Sequence, residues 1–202
     1  LVWLAAGPAA LAQSPPPPLA GAPPGEGKGG EKILGCPGTV RDGVLRMAFP
    51  RTDLNVVVQG IPLEPELGLT SRFAFQALPE APDAHRTWMT GELVLLDQEV
   101  PKVLALLARR KGLEVTALQH PFLMESPGLE TLRVAGRGAR THLAEVLRDL
   151  LAVTGSPLGP SGLSETPTVP RQSPGQDWSA VESVLGPGRI EGRVLEYDFP
   201  LA

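Results

Sequence analysis

Between residues 33 and 154 the apolar positions follow two periods, and stretches rich in Pro and Gly bracket them on both sides. Alternation at every second position sets side chains on opposite faces of a strand. Recurrence at i, i+3, i+4 and i+7 sets them on one face of a helix. Residues 43–49 alternate weakly through Val44-Leu45-Arg46-Met47-Ala48-Phe49 and predict a strand stopped by Pro50. Residues 54–59 carry the β-branched run Val56-Val57-Val58, which favours a second strand. Gly60 and Pro62 then turn the chain. Residues 71–78 space Phe73 and Phe75 two apart, as a half-buried strand requires, and residues 87–96 predict a fourth strand.

Asp97 is expected to open a helix, its carboxylate accepting from the free N–H groups of the first turn, an effect worth ~1 kcal/mol. Pro101 is tolerated there because the donor it removes has no partner in a first turn. Val100, Val103, Leu104 and Leu107 form one apolar face. Arg109, Arg110 and Lys111 suit the negative end, and Gly112 supplies a left-handed stop. Residues 113–118 predict a strand, and residues 131–135 a shorter one. Thr141 is the expected cap of a second helix, with Leu143, Val146, Leu147, Leu150 and Leu151 on one stripe and Gly155 as its end. The order over 87–154 is β-α-β-β-α. Two helices with one apolar stripe each can cover one face of an antiparallel or mixed sheet. The expectation is a two-layer α+β domain in which Phe73, Phe75, Leu93 and Leu95 meet the Val103/Leu107 and Leu147/Leu151 stripes.

A longer pattern overlies these periods. Leu34-Gly35-Cys36-Pro37-Gly38-Thr39-Val40-Arg41-Asp42-Gly43-Val44-Leu45 and the following residues to Pro50 are written again as Leu185-Gly186-Pro187-Gly188-Arg189-Ile190-Glu191-Gly192-Arg193-Val194-Leu195 and onward to Pro200. Cys36 alone lacks a counterpart. A self-match at that spacing points to a duplicated domain. Residues 33–154 are then one copy, and residues 177–202 the truncated start of a second that is expected to continue downstream. Residues 13–32 and 155–176, rich in Pro, Gly and Ser, read as linkers. Residues 1–12 are apolar, and Ala10-Leu11-Ala12 has the small-x-small form of a cleavage site, so they read as the remnant of a signal peptide. No stretch reaches the ~20 apolar residues that a membrane-spanning helix needs.

Net charge is −4, which argues against a nucleic-acid partner. The single cysteine, Cys36, excludes an intrachain disulfide. Ile33-Leu34-Gly35-Cys36 is no acylation box, because residues 25–32 before it are hydrophilic. Candidate chemistry is sparse. Arg51 and Asp53 share a face of an extended chain and can pair, as an ion pair at a sheet edge or toward a ligand. Glu92 sits beside Gly91 in a strand, facing solvent or serving as an acid. His120 ends a strand, His85 lies in a loop and His142 begins a helix, a scatter with no metal-ligand spacing. Neither a metal nor another cofactor is expected. Gly136-Arg137-Gly138, with Arg133 and Arg140 nearby, could cradle an anion on backbone N–H groups or simply form a β–α turn. No nucleophile elbow, zinc-protease helix, P-loop or dinucleotide fingerprint is present.

Phe49-Pro50-Arg51-Thr52-Asp53-Leu54-Asn55-Val56, Gly91-Glu92-Leu93-Val94-Leu95 and Glu114-Val115-Thr116-Ala117-Leu118 resemble the LppY/LpqO family of exported bacterial proteins. Some of these are lipid-anchored, and the family's domain of unknown function is often present twice. The resemblance covers about 33–154 and resumes at 177–200. Where that family typically has His-Asn-His, this chain has Gln119-His120-Pro121. Where it tends to have a second histidine cluster, this chain has Arg133-Val134-Ala135-Gly136-Arg137-Gly138. Arginine stays protonated and cannot replace imidazole as a metal donor, though it can turn a cation site into an anion site. The resemblance therefore implies a secreted or periplasmic, non-enzymatic domain that binds a small ligand or an envelope protein. Binding would involve some of Arg51, Asp53, Glu92, His120, Arg133 and Arg137. Two alternatives are a hydrolase using Glu92 and His120 as acid and base, and a decayed gene fragment. The hydrolase requires those two side chains to converge.

Overall fold

In the computed structural model, residues 28–78, 87–158, 177–191 and 193–199 are described. The signal-like segment, most of both expected linkers and His85 lie outside them. The elements are α1 (Lys28–Leu34), β1 (Thr39–Arg41), β2 (Val44–Pro50), β3 (Val57–Val58), β4 (Ile61–Pro62), β5 (Thr70–Ala77), β6 (Thr87–Leu96), α2 (Val100–Arg109), β7 (Glu114–Gln119), β8 (Glu125–Ser126), β9 (Leu129–Gly138), α3 (Arg140–Ala152), α4 (Ser179–Leu185), β10 (Arg189–Glu191) and β11 (Val194–Glu196).

Six strands form one sheet in the order β1-β2-β5-β6-β9-β7, antiparallel at every step. The fold is α+β, as the alternation of periods predicts. Phe73, Phe75, Leu93 and Leu95 join Val103, Leu107, Leu147 and Leu151 in one buried cluster, so the expected facing of strands and helices is observed. Phe49 meets Phe73 edge to face at 6.0 Å, an arrangement favoured by the ring quadrupoles.

Strand β6 is buried on both sides near its end. Leu93 and Leu95 face the helices, while Val94 between them belongs to a second cluster with Val56, Leu69 and Leu129. Because successive side chains alternate across a sheet, that second cluster lies on the face away from the helices. A small antiparallel sheet, β4-β3-β8, stands in the segments that supply it.

The structure departs from expectation at four places. Helix α1 begins inside the stretch read as linker. Its sequence, Lys-Gly-Gly-Glu-Lys-Ile-Leu, is too short and glycine-rich to be helical alone. It is held by tertiary contact: Leu34 is buried in the main core, and Glu31 accepts from Gly38 N at 2.9 Å. The run Val56-Val57-Val58 gives only a two-residue strand, because Val56 turns into the second cluster. Strand β9 runs for ten residues rather than five, carrying Gly136-Arg137-Gly138 within it, so these residues form no loop that could cradle an anion. Gly136 is needed there because a Cβ would run into the carbonyl oxygen of Gly112.

The fourth departure concerns helix caps. Asp97 does not cap α2; the N-cap is Glu99, and its side chain makes no capping bond. Ala139, not Thr141, precedes α3, again with no side-chain cap. Helix α3 ends at Ala152, short of Gly155, and the N–H of its cap residue Val153 reaches the carbonyls of Leu150 and Leu151. Asp97, Glu99 and Gly155 are all engaged elsewhere, at the two sites described next.

Candidate functional site

Strand β2 ends at Pro50 and delivers Arg51 beneath the sheet, fully buried. Its five N–H groups all find acceptors. Nε donates to Asp53 Oδ1 at 2.8 Å, and one Nη2 proton to Asp53 Oδ2 at 2.9 Å. Nη1 donates to Val94 O at 2.6 Å and to Glu99 Oε2 at 2.9 Å, and Nη2 also reaches Glu99 Oε1 at 3.1 Å. Burial works against the charged guanidinium. The hydrogen bonds and charges of Asp53 and Glu99 outweigh it and raise the Arg51 pKa above its ordinary value. Glu99 is equally filled, accepting in addition from Leu96 N at 2.9 Å and Gly155 N at 2.8 Å. Arg51 and Asp53 do pair, the guanidinium buried and the Asp53 carboxylate reaching it from an exposed position, and no Arg51 donor is left for a ligand. The sequence reading missed Glu99, because nothing in its local pattern distinguishes it from a solvated helix-start carboxylate.

Glu92 lies on the sheet face away from the helices, in one row with Arg72 and Arg133. Its Oε2 is 3.6 Å from Arg133 Nε, with both side chains partly exposed, a geometry of small energetic worth. Arg137 pairs in register with Trp88 on the same face. Glu92 and His120 do not converge. The residue opposite Glu130, which touches His120, is Leu95, three positions along β6 from Glu92, or roughly 10 Å at the strand rise. An odd step along a strand also turns the side chain to the other face.

His120 lies just past the end of β7 and meets side chains from three other segments. Its Nδ1 is 3.0 Å from Leu129 O and 3.6 Å from Glu125 Oε1, and its Nε2 is 3.3 Å from Glu130 Oε1. Asp97, in the turn after β6, completes the group. One donor atom each from Asp97, His120 and Glu130 all lie within 4.8 Å of one another. The loop before β9 holds Asp97 in place: Asp97 N donates to Gly128 O at 3.3 Å, and a Cβ on Gly128 would press on Asp97 Oδ2. Glu125 Oε1 in turn accepts from Leu129 N at 3.4 Å.

The chemistry of this cluster follows from its acceptors. Leu129 O can only accept, so Nδ1 carries the proton of that bond, and a neutral His120 turns its Nε2 lone pair toward the Glu130 carboxylate. Two acceptors then face each other across 3.3 Å. A proton on Nε2 relieves this. The hydrogen bond to Leu129, then the charge of Glu130, with smaller help from Glu125 and Asp97, accordingly raise the His120 pKa. A cation between the groups would also relieve it. The three donors that could hold a metal come from positions 97, 120 and 130, a set that no local spacing rule connects.

These features define a two-layer α+β domain with a buried arginine clasp beneath its sheet and an acid–histidine cluster at one sheet end. Residues 29–153, more than half of the chain, match the family described as a domain of unknown function (DUF1259), and the chain belongs to that family. No curated protein and no solved structure matches it.

Proposed function

We propose that this domain is a non-enzymatic binding module, and that it takes a divalent cation on Asp97, His120 and Glu130. The observation that carries the reading is the Nε2 lone pair of His120 aimed at a carboxylate while its Nδ1–H is spent on Leu129 O. An imidazole held through its other N–H by a backbone carbonyl is the arrangement typical of a metal-ligating histidine. One nitrogen and two carboxylate donors suit zinc or manganese better than a thiolate-seeking ion. His120 is exposed, so coordination positions would remain open to water or to an anionic ligand. Calorimetric titration of the chain with Zn²⁺ and Mn²⁺ after chelation tests this. One-to-one uptake is expected, weakened at least tenfold, on the order seen when metal-site support is lost, by His120→Ala. Binding that is absent, or that His120→Ala leaves unchanged, rules it out.

The wider setting is part of the same proposal. The small-x-small motif at Ala10-Leu11-Ala12 and the resemblance to the LppY/LpqO family support an exported protein of the bacterial envelope. The separation of Glu92 from His120 favours binding over hydrolysis by that pair.

A further inference from the structure

The helices cover one face of the six-stranded sheet. On the other face the second core cluster closes only the end that carries Val94 and Leu129. Beyond that end the side chains of β2, β5, β6 and β9 stand in register, row by row. Arg72, Glu92 and Arg133 form one row. Ala74, Thr90 and Ala135 form the next, with Arg46 at its β2 end. Gln76, Trp88 and Arg137 form the third. At the strand rise each row lies about 7 Å from the next, so a floor of small side chains crosses the strands between two walls of long ones.

These rows are cationic. Arg46, Arg133 and Arg137 are exposed and Arg72 is half-buried. Against them stand Glu92 and, at the β7 end of the middle row, Glu114. The excess of positive charge is local, since the whole chain carries a net charge of −4. Each of these cations is an arginine, whose planar fork matches a carboxylate through two parallel N–H groups. Glu92 shows that fit in place. It stands between Arg72 and Arg133, with its Oε2 3.6 Å from Arg133 Nε. Arg137 enters no ion pair among the described residues. Beside it in register, Trp88 is 45% exposed, a large apolar ring left open to solvent.

We propose that this face binds an extended carboxylated polysaccharide, a chain of uronic-acid sugars laid across the strands on the Ala74-Thr90-Ala135 floor. Arg46, Arg72, Arg133 and Arg137 take its carboxylates, and a sugar ring lies on Trp88. Charge complementarity selects an anion, and the rest of the face selects this one. A peptide strand gains affinity from main-chain hydrogen bonds at a sheet edge. Here β5, β6 and β9 are each paired on both sides, so the face offers side chains alone. A single nucleic-acid strand also brings rings and anions. Its closely spaced phosphates would meet a chain of net negative charge, with Glu92 and Glu114 among the arginines. None of these groups belongs to the His120 cluster.

The test is a titration of the full chain into a fluorescently labelled oligogalacturonate, read by anisotropy. Chelator is present throughout, so that no cation bridges sugar and protein. Saturable binding is expected, weakening as salt screens the arginines. Arg133→Ala, Arg137→Ala and Trp88→Ala should each weaken it about tenfold, as the loss of one charged hydrogen bond or one ring contact does. Glu92→Gln should tighten it, because the internal competitor for Arg133 is gone. Tm should stay the same in all four variants, whose altered side chains face solvent. No saturable binding overturns the proposal, and so does binding that the double variant Arg133→Ala/Arg137→Ala leaves unchanged. Full affinity in Trp88→Ala overturns it too, because nothing then selects a ring polymer. Tighter binding of an oligothymidine or an oligoglutamate of equal length would assign the face to a nucleic acid or an acidic peptide, and overturn the proposal as well.

Discussion

Arg51 and Glu99 form a two-pronged ion pair across the interior, Nη1 to Oε2 at 2.9 Å and Nη2 to Oε1 at 3.1 Å, although 48 positions separate them in the chain. The pair ties the end of β2 to the start of α2. Through Leu96 and Gly155, Glu99 adds the end of β6 and the turn after α3. Four segments therefore meet on one carboxylate, with every lone-pair direction used.

Removing Arg51 leaves the buried Glu99 without its counter-charge, and removing Glu99 leaves Arg51 with Asp53 but with two buried N–H groups unpaired. Glu99→Ala should cost about 3–5 kcal/mol in urea unfolding, as breaking other buried pairs does. The double variant Arg51→Met/Glu99→Leu removes both ends of the pair and should be less destabilised than Glu99→Ala. Equal losses in the two would show that the charges are not coupled.

Gly155 supports the same network by having no side chain. A Cβ there would press on Asp53 Oδ2 and stand 3.3 Å from Arg51 Nη2. Gly155→Ala should therefore destabilise by about 1–3 kcal/mol, the usual range for overpacking. A thermal melt unchanged by the substitution would place the turn farther from Asp53 than described.

The His120 cluster makes opposite demands on pH for proton and for metal. Its folded pKa is raised above the ordinary value of about 6.5. The native state therefore binds the proton more tightly than the unfolded chain does. That small stabilisation is complete below about pH 6.5 and is lost as pH rises through the folded pKa. A cation competes with the same proton, so its stabilising effect should grow over that window. Melting scans from pH 5 to about 9 with chelator and with Zn²⁺ should diverge as pH rises, and His120→Ala should make them coincide.

Cys36 is buried, and burial first, with the nearby charge of Glu31 second, pushes its thiol pKa up to about 12. Thiolate is the reactive form, so the native protein should resist thiol reagents at neutral pH. Modification should follow unfolding, and prompt labelling of the folded chain would contradict the packing of α1.

Where periodicity is strong, the sequence was a reliable guide. The stripe Leu143, Val146, Leu147, Leu150 and Leu151 is buried as a unit, and β6 spans the residues expected of it. Helix α1 was illegible because its stability comes from contact with α3 and from Glu31 meeting Gly38, not from its own residues. Cap residues misled for a related reason. Asp97 carries the chemistry of a cap, but it is drawn toward Gly128 and the His120 cluster. Glu92 was singled out and proves to be paired across a strand with Arg133, while Glu99 went unnoticed and holds four segments together.

The sequence by itself determined the class of fold and the faces that make the core, because periodicity and turn chemistry are local. Tertiary structure alone decided which charges meet. Strand order and register bring residue 51 to residue 99, and residue 97 to residues 120 and 130. Distances of that kind arise only when an antiparallel sheet closes, since no spacing within one segment encodes them.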